Sequence, residues 1–374
     1  MPDKHALLSA SSSHRWINCP PSARLCAGHA DQPSNYAQQG TDAHSLAEYK
    51  VLHALGAKKK NPRDDLTWFD REMDTCTDDY CSFVVEQIAE AGRYCEDPLI
   101  LVEQRLDFSR WVPEGFGTGD CVIVADHLLQ IIDFKYGLGV LVDAENNPQM
   151  MCYALGAMEQ FDGIYDIDTV KMTIFQPRRD NISTCVMSRD DLLAWAENTL
   201  KPAADLAYSD QGEFKAGDHC QFCRVRASCR KRAEYNLTLA RYDFKMPDHL
   251  QAEEIAAILP RIDELISWAG DVKEYALKKA LSGTSYPGYK LVAGRSSRKY
   301  TDEAAVAAAA VSAGFDPYEK KLLGITAMTS LMGRKKFNEV LGSYITKPQG
   351  KPTLVPESDR RPALNTANDD FTEE

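Results

Sequence analysis

The sequence predicts an α/β protein in which helices flank one mixed β-sheet and a mainly helical extension follows. Three observations carry this expectation. First, three short apolar runs rich in β-branched residues, PLILVEQRLDF, CVIVAD and HLLQIIDFKYG, follow one another with Gly, Pro and Asp between them, as strands do. Second, segments of helical apolar spacing stand before and after them, and two more strand-like runs, TVKMTIFQPR and NISTCVMS, come next. Third, this alternation of helices and strands gives way, after residue 220, to spacing that is almost wholly helical.

Taken in order, the serines at 11–13 can cap a short helix, SSHRWINC, that Pro20 ends. Residues 38–56 read as a helix stopped by Gly56, and residues 58–65 as a polar loop. Residues 70–95 read as a second helix, with Phe83, Val84, Ile88 and Ala91 at helical spacing. The second and third strands are joined by a tight turn near Asp126 and His127, which predicts an antiparallel hairpin. Residues 147–161 return to helical period, with Pro148 near the start where proline is tolerated. Two strands follow, then a helix over residues 189–208. The extension contains a long amphipathic helix at 250–281, a hairpin in GYKLVAGRSSRKYT, an alanine-rich helix at 302–313 and a helix near 326–341. The expected division is a core over residues 1–240, a mainly helical domain with the hairpin over 245–345, and a tail over 346–374. That tail is rich in Pro, Asp and Asn and is expected to be extended or disordered.

A chain of 374 residues, 44% apolar and 26% charged, can bury a core without staples. Its start, MPDKHALLSASSSHRW, lacks the apolar stretch of a signal peptide, and no apolar run approaches the roughly 20 residues of a membrane span. The expectation is therefore a cytoplasmic protein, not a membrane protein, a secreted disulfide scaffold or a disordered chain. The net charge of -12, taken whole, argues against a nucleic-acid partner. Its distribution says otherwise. Residues 1–219 carry 19 Lys+Arg against 35 Asp+Glu, and residues 220–374 carry 24 against 20. Basic clusters occur at Arg224, Arg226, Arg230, Lys231 and Arg232, at Lys290, Arg295, Arg298 and Lys299, and at Arg334, Lys335 and Lys336. Any one of these is an ordinary solvated face, but three in one region suggest a basic surface. Arg224, Arg226, Arg295, Arg298 and Lys299 are accordingly candidate DNA contacts, with Trp268, Tyr289 and Tyr300 nearby for stacking.

Of the 11 cysteines, eight are scattered and three are packed as CQFCRVRASC, with Cys220, Cys223 and Cys229 in it. In a reducing compartment such a group is a metal-ligand pattern. Cys-x2-Cys points two thiolates at one site, and a third lies a turn or two away. A tetrahedral thiolate site is then one ligand short, and Cys19, in INCPPSARL, is the candidate for the fourth, with Cys26 as its rival.

The chemistry-bearing residues cluster around the strands. Asp120 begins the second strand in GFGTGD, and Asp133 and Lys135 end the third in IIDFKYG. Alternation puts Asp133 and Lys135 on one face, and a hairpin register can bring Asp120 beside Asp133. Two carboxylates so placed are costly to leave unpaired, and Mg²⁺ or Mn²⁺ would neutralise them. An Asp-x-Lys at a strand end is, by itself, a surface ion pair, so the neighbours carry the case. His44 lies on the first long helix with Glu48 one turn on, and its imidazole suits Mn²⁺. Glu103 is a further candidate carboxylate on the first strand. Gln149 and Tyr153, four apart, share a helix face that can look back on the site.

The ordered series His44, Gly-x-x-Asp from Gly117 to Asp120, Asp133-x-Lys135 and Gln149-x3-Tyr153 resembles the PD-(D/E)XK nuclease superfamily. The cysteine frame is similar to that of its RecB-like branch, in which some members carry one cysteine before the histidine motif and three after the nuclease core. Those members include CRISPR-adaptation exonucleases and the nuclease domains of AddAB-type helicase–nucleases. The resemblance covers about residues 9–232. It implies a restriction-endonuclease-like mixed sheet and a Mg²⁺- or Mn²⁺-dependent deoxyribonuclease, in the first instance an exonuclease. Asp120, Asp133 and His44 would hold the metal with the backbone carbonyl of Phe134 and, as a further candidate, Glu103. Lys135 would act on the attacking water, and Gln149 and Tyr153 would contact DNA or steady the site. Cys19, Cys220, Cys223 and Cys229 would hold a 4Fe-4S cluster that ties the two ends of the domain together, with a structural Zn²⁺ as the alternative. The second motif reads Gly-Asp rather than Pro-Asp, a form common in this branch. The layout is also similar to phage and prophage members of the branch. That implies a role in recombination, with recombination or single-strand-binding proteins, or a second copy of the chain, as candidate partners. The rival reading is an inactive nuclease scaffold serving as a DNA-binding or assembly module. Its signature would be a broken Asp/Asp-x-Lys set, whereas the set here is intact. A redox protein would need a nicotinamide or flavin site, and no Gly-x-Gly-x-x-Gly follows a strand.

Overall fold

The computed structural model describes residues 6–29, 35–238, 251–293, 300–319, 321–346 and 354–355. It is a mixed α/β structure around one five-stranded sheet. The strands are β1 (Leu99–Asp107), β2 (Phe116–Ala125), β3 (Leu128–Phe134), β4 (Thr169–Gln176) and β5 (Asn181–Ser188), and they lie in that spatial order. Every neighbouring pair is antiparallel except β3–β4, which is parallel. The expected hairpin between β2 and β3 is present: Ala125 pairs with Leu128, and His127 takes the left-handed conformation (φ 65°) in the two-residue turn. The parallel step needs a crossover, and the helix α5 (Pro148–Phe161) provides it. Asn147 caps α5 through bonds from the Gln149 and Met150 amides, and Pro148 occupies the first turn as expected.

The two faces of the sheet are covered by different helices. On one face, Val122, Val124, Leu129, Ile131, Met172 and Ile174 pack with Met150, Cys152, Ala154, Leu155 and Ala157 of α5. On the other, Cys121, Ile123, Ile132 and Phe134 pack with α3 (Asn35–Ala54) and α4 (Arg71–Ala91) through Ala43, Leu46, Met73, Tyr80 and Val84. β3 is buried along its whole length because both faces are covered. α1 (Ser13–Asn18) and α2 (Ser22–Ala27) join the α5 side. The helix expected over 189–208 is α6 (Arg189–Trp195) and α7 (Lys201–Tyr208), joined by a π-helical stretch over Ala196–Leu200.

α3 ends as its glycine suggested. Gly56 adopts φ 81°, its N–H donates to the His53 carbonyl (3.0 Å), and the Ala57 N–H donates to the Leu52 carbonyl (2.9 Å). This is the Schellman pattern, which turns the chain sharply out of the helix and needs a residue tolerant of positive φ.

Beyond residue 220 the structure departs from expectation. α8 (Arg230–Leu237) and the long α9 (Ala252–Leu281) follow the cysteines. The chain divides into two compact units, residues 1–278 and 279–374, so most of α9 belongs with the sheet and not with the extension from residue 245. Ion pairs explain this. Arg232, fully buried, pairs with Glu264 (2.6 Å) and Asp271 (2.5 Å) of α9, and Arg226 pairs with Asp271 (2.8 Å). The hairpin expected in 288–301 falls in part on residues 294–299, which lie outside the described residues; among the described residues, 288–293 and 300–301 contain no strand, and Leu291 and Val292 are exposed. In the second unit, α10 (Glu303–Ser312) is capped by Asp302. The single helix expected over 326–341 is two, α11 (Ile325–Met332) and α12 (Arg334–Leu341), because Gly333 at φ 76° breaks it. Of the tail, residues 346 and 354–355 are described. Among the described residues no helix is long and apolar enough to cross a membrane.

Candidate functional site

The strand register builds the site. Val102 pairs with Cys121 and Gln104 with Gly119, which leaves Glu103 opposite Asp120. Cys121 pairs with Ile132, so the next step sets Asp120 opposite Asp133. Three carboxylates therefore stand side by side across β1, β2 and β3, where unneutralised negative charges repel. Glu103 is in the left-handed region (φ 52°), rare for a non-glycine residue, and the inside–outside alternation of β1 slips there. Before it, Leu99 and Leu101 pack on the α5-side core; after it, Leu106 and Phe108 do. Such a kink re-aims a side chain at a sheet site.

Other elements then converge on the carboxylates. From α3, His44 Nδ1 lies 3.2 Å from Asp120 Oδ1. The ligand atoms of His44, Glu103 and Asp120 lie within 4.8 Å of one another, the only such group of three or more His, Cys, Asp and Glu among the described residues. Asp120 Oδ2 accepts the Phe134 amide (2.7 Å), which locks the end of β2 to the end of β3. Lys135 Nζ lies 3.0 Å from Asp133 Oδ2 and donates to Gln149 Oε1 (3.3 Å). Gln149 Nε2 donates to Asp133 Oδ1 (3.2 Å) and to the Tyr153 hydroxyl (3.1 Å). The residues Asp120, Asp133, Lys135, His44, Glu103, Gln149 and Tyr153 are thus brought to one place, with Phe134 between them.

The electrostatics are those of crowded charge. Burial pushes the Asp133 carboxyl up, the neighbouring Asp120 charge adds to this, and Lys135 opposes it. Burial also pushes Glu103 up, to about 7, helped by the charges of Asp120 and Glu48. Burial disfavours a charged His44, but the Asp120 carboxylate wins and raises it to about 9. Asp120 is lowered: burial works against this, and the His44 imidazolium, Lys135 and the Phe134 N–H outweigh it. Burial likewise disfavours the Lys135 ammonium, yet Asp133 and Asp120 hold it above its ordinary value. Asp133 is 3% exposed, and the Lys135 ammonium stands 3.0 Å from its Oδ2. One lysine beside three neighbouring carboxylates leaves negative charge that a bound cation would offset.

One role and one residue escaped the sequence reading. Gly117 enters that reading only as the start of Gly-x-x-Asp: a Cβ there would lie 2.6 Å from Tyr153 Cε1, so this glycine makes room for the ring that Gln149 holds. The residue is Tyr80 on α4, whose ring packs 4.8 Å from Phe134. It is not among the residues read as the apolar face of that helix, and nothing in the sequence marks it as the floor of a charged site.

The cysteines form a second locus. Cys19, Cys220, Cys223 and Cys229 line one small cavity with Arg15, Arg226 and Arg232. The Cys-x2-Cys turn is closed by the Cys223 amide on the Cys220 carbonyl (3.0 Å). Cys26 does not line that cavity, but its Sγ is 3.6 Å from Cys223 Sγ. The hydrogen bond from Cys223 lowers the Cys26 thiol to about 5, and the same bond pushes Cys223 up. No three of these sulfurs fall within 4.8 Å of one another, whereas a tetrahedral zinc site needs thiolates about 3.8 Å apart.

The expected DNA contacts fare differently. Arg224 donates to the carbonyls of Cys26 (3.2 Å) and His29 (2.9 Å), and Arg226 is held by Asp271. These two cations are engaged within the fold, and Arg232 is buried; the other two of the 224–232 cluster, Arg230 and Lys231, are exposed. Arg295, Arg298 and Lys299 lie outside the described residues.

The family described as "Protein of unknown function (DUF2800)" matches residues 5–362 of the chain. A solved structure described as "Crystal structure of SSO0001" is 10% identical and covers 52% of this chain and 98% of that one. Its TM-score of 0.22 is too low to carry an argument.

Proposed function

Because the chain belongs to this DUF2800 family of unknown function, its activity must come from its own residues, and we propose that it is a metal-dependent DNA nuclease of the PD-(D/E)XK kind. The observation that carries the reading is the convergence of His44, Glu103 and Asp120 within 4.8 Å, at the sheet position shared by Asp133 and Lys135. The order of one helix pair, three strands, a crossover helix and two strands supports assigning the core to the restriction-endonuclease-like class.

In this reading His44, Asp120, Asp133 and the Phe134 carbonyl hold Mg²⁺ or Mn²⁺, and Glu103 adds a carboxylate. The imidazole favours Mn²⁺ over Mg²⁺. The bound ion would supply Lewis acidity toward the phosphate and a more acidic water. Asp133 and Asp120 hold the Lys135 ammonium above its ordinary value, which keeps a positive charge at the site. Lys135 orients the attacking water and meets the negative charge that grows on the phosphate oxygens. Gln149 fixes Lys135 and Asp133 relative to each other through its two amide atoms. Tyr153 steadies Gln149 from one turn further along α5.

The four cysteines around one cavity support a 4Fe-4S cluster that is structural. No three of these sulfurs lie within 4.8 Å of one another, a spread that a four-iron cluster takes more readily than one zinc ion. Cys19 is the fourth ligand because it faces the cavity, whereas Cys26 touches Cys223 from outside it. Purified protein should be brown, absorb near 400 nm and bleach with dithionite; stoichiometric zinc without iron would replace the cluster by Zn²⁺.

The test of the activity is an end-labelled DNA digest with Mg²⁺ or Mn²⁺ on single and double strands. Wild type should release short products from an end, and Asp133→Ala and Lys135→Ala should not, although both remain folded. Equal cleavage by all three would place the site elsewhere. Binding without cleavage by wild type would favour the inactive DNA-binding module.

A further inference from the structure

The acidic first part of the chain contains one run of three lysines, Lys58, Lys59 and Lys60, immediately after α3. The Schellman turn at Gly56 folds this run back along the helix that carries His44 and Glu48. Together with Tyr49 and His53 it lines a wide-mouthed cavity of ≈ 540 Å³, within the range of small-ligand sites. Tyr49 and His53 are four apart on α3, and their ring centroids lie 5.7 Å apart at a 38° tilt, forming an aromatic wall.

The cavity adjoins the carboxylate site. Lys59 is ion-paired with Glu48, one turn beyond His44. Glu48 and Lys59 are both close enough to Glu103 to act on its charge. Lys60 holds only the exposed Asp65 (2.7 Å), and Lys58 has no partner among the described residues. Cations beside a ring face are what an unpaired nucleotide requires: the phosphate takes the lysines and the base takes the wall. A duplex keeps its bases stacked and could use the lysines alone.

Resting on the nuclease reading, we propose that this cavity is a subsite for one nucleotide of a single-stranded substrate, next to the scissile phosphodiester. Lys58, Lys59 and Lys60 hold its internal phosphate, and Tyr49 and His53 hold its base. The DNA path then runs along the end of α3 and not along the 224–232 segment.

The experiment uses the full chain with Asp133→Ala, so that DNA is bound without being cut, and a fluorescein-labelled single-stranded oligonucleotide read by anisotropy from 50 to 200 mM salt. Adding Lys58→Ala, Lys59→Ala and Lys60→Ala should weaken binding about tenfold at the low-salt end and make the log–log salt slope shallower by about 2. His53→Ala should weaken binding about fivefold, the scale of one lost stacking ring, with less change of slope than the lysine variant. Equal losses with 5′-hydroxyl and 5′-phosphate oligonucleotides support an internal phosphate; a loss confined to the 5′-phosphate form overturns it in favour of an end-anchoring pocket. Unchanged affinity and slope in the triple variant overturn the subsite. If the chain with Asp133 intact still cuts DNA in that case, the nuclease reading stands and only the subsite falls. If that chain neither binds nor cuts DNA, both fall.

Discussion

Asp133 sits on a strand whose seven residues are all buried, with hydrogen-bonded neighbours on both sides. Cys223 sits at the end of a five-residue 3-10 turn, and its close sulfur neighbour, Cys26, is 197 residues away in sequence. The carboxylate site is displayed on a scaffold that is complete without it. The cysteine pocket is part of what holds the scaffold shut. Losing a group from the first should cost chemistry, and losing one from the second should cost stability.

The sharpest way to break this contrast is Asp133→Ala, which should lower DNA cleavage at least about a thousandfold while leaving the thermal melt of the metal-free protein within a few degrees. Cys220→Ser should do the reverse. It should lose the visible absorbance and about 4 kcal/mol of stability in denaturant titration, the scale of opening a long closed loop. Arg232→Ala, which strands Glu264 and Asp271 without their cation, should cost about 3 kcal/mol and free α9 to proteolysis. Gly117→Ala crosses the divide. Its new methyl meets the Tyr153 ring, so about 1–3 kcal/mol should be lost together with part of the activity, because Tyr153 leaves Gln149.

The smallest effect is one of pH. His44, raised to about 9, contributes stability that is full below its ordinary value near 6.5 and is lost as pH rises through 9. Glu103, raised to about 7, also favours the metal-free fold in its protonated form, and that contribution fades from about pH 4.5 to 7. The metal-free melting temperature should therefore fall modestly from pH 5.5 to 8.5. Mn²⁺ must displace both protons, so its affinity, read by titration calorimetry in two buffers of different ionisation enthalpy, should tighten over the same range with proton release. A flat affinity would remove His44 from the ligand set.

The sheet was legible because its strands carry β-branched residues in runs and its hairpin has a two-residue turn. The same regularity made the meeting of Asp120 with Asp133 foreseeable, since pairing register follows from the turn. What sequence could not reveal was the slip at Glu103, because no residue type announces a left-handed kink in a strand. It also misjudged Arg226 and Arg232. A run of cations looks solvated until the acids that meet it, Glu264 and Asp271, are found some 30 to 45 residues further on. The hairpin expected beyond residue 288 falls in part outside the described residues, and its described apolar residues, Leu291 and Val292, are exposed.

The Arg24 guanidinium donates to the Tyr208 carbonyl (2.9 Å), and Arg224 reaches back to Cys26 and His29. The segment around α1 and α2 therefore docks on a segment made some 200 residues later. A ribosome adding residues at about 5–20 per second would leave α1 and α2 without their partner surface for roughly 10 to 40 s while the sheet is assembled. During that interval Trp16 and Cys26, both buried in the finished molecule, are open to solvent. The nascent chain is thus exposed to chaperones and proteases at its N-terminal end until α7 and the cysteine turn have emerged.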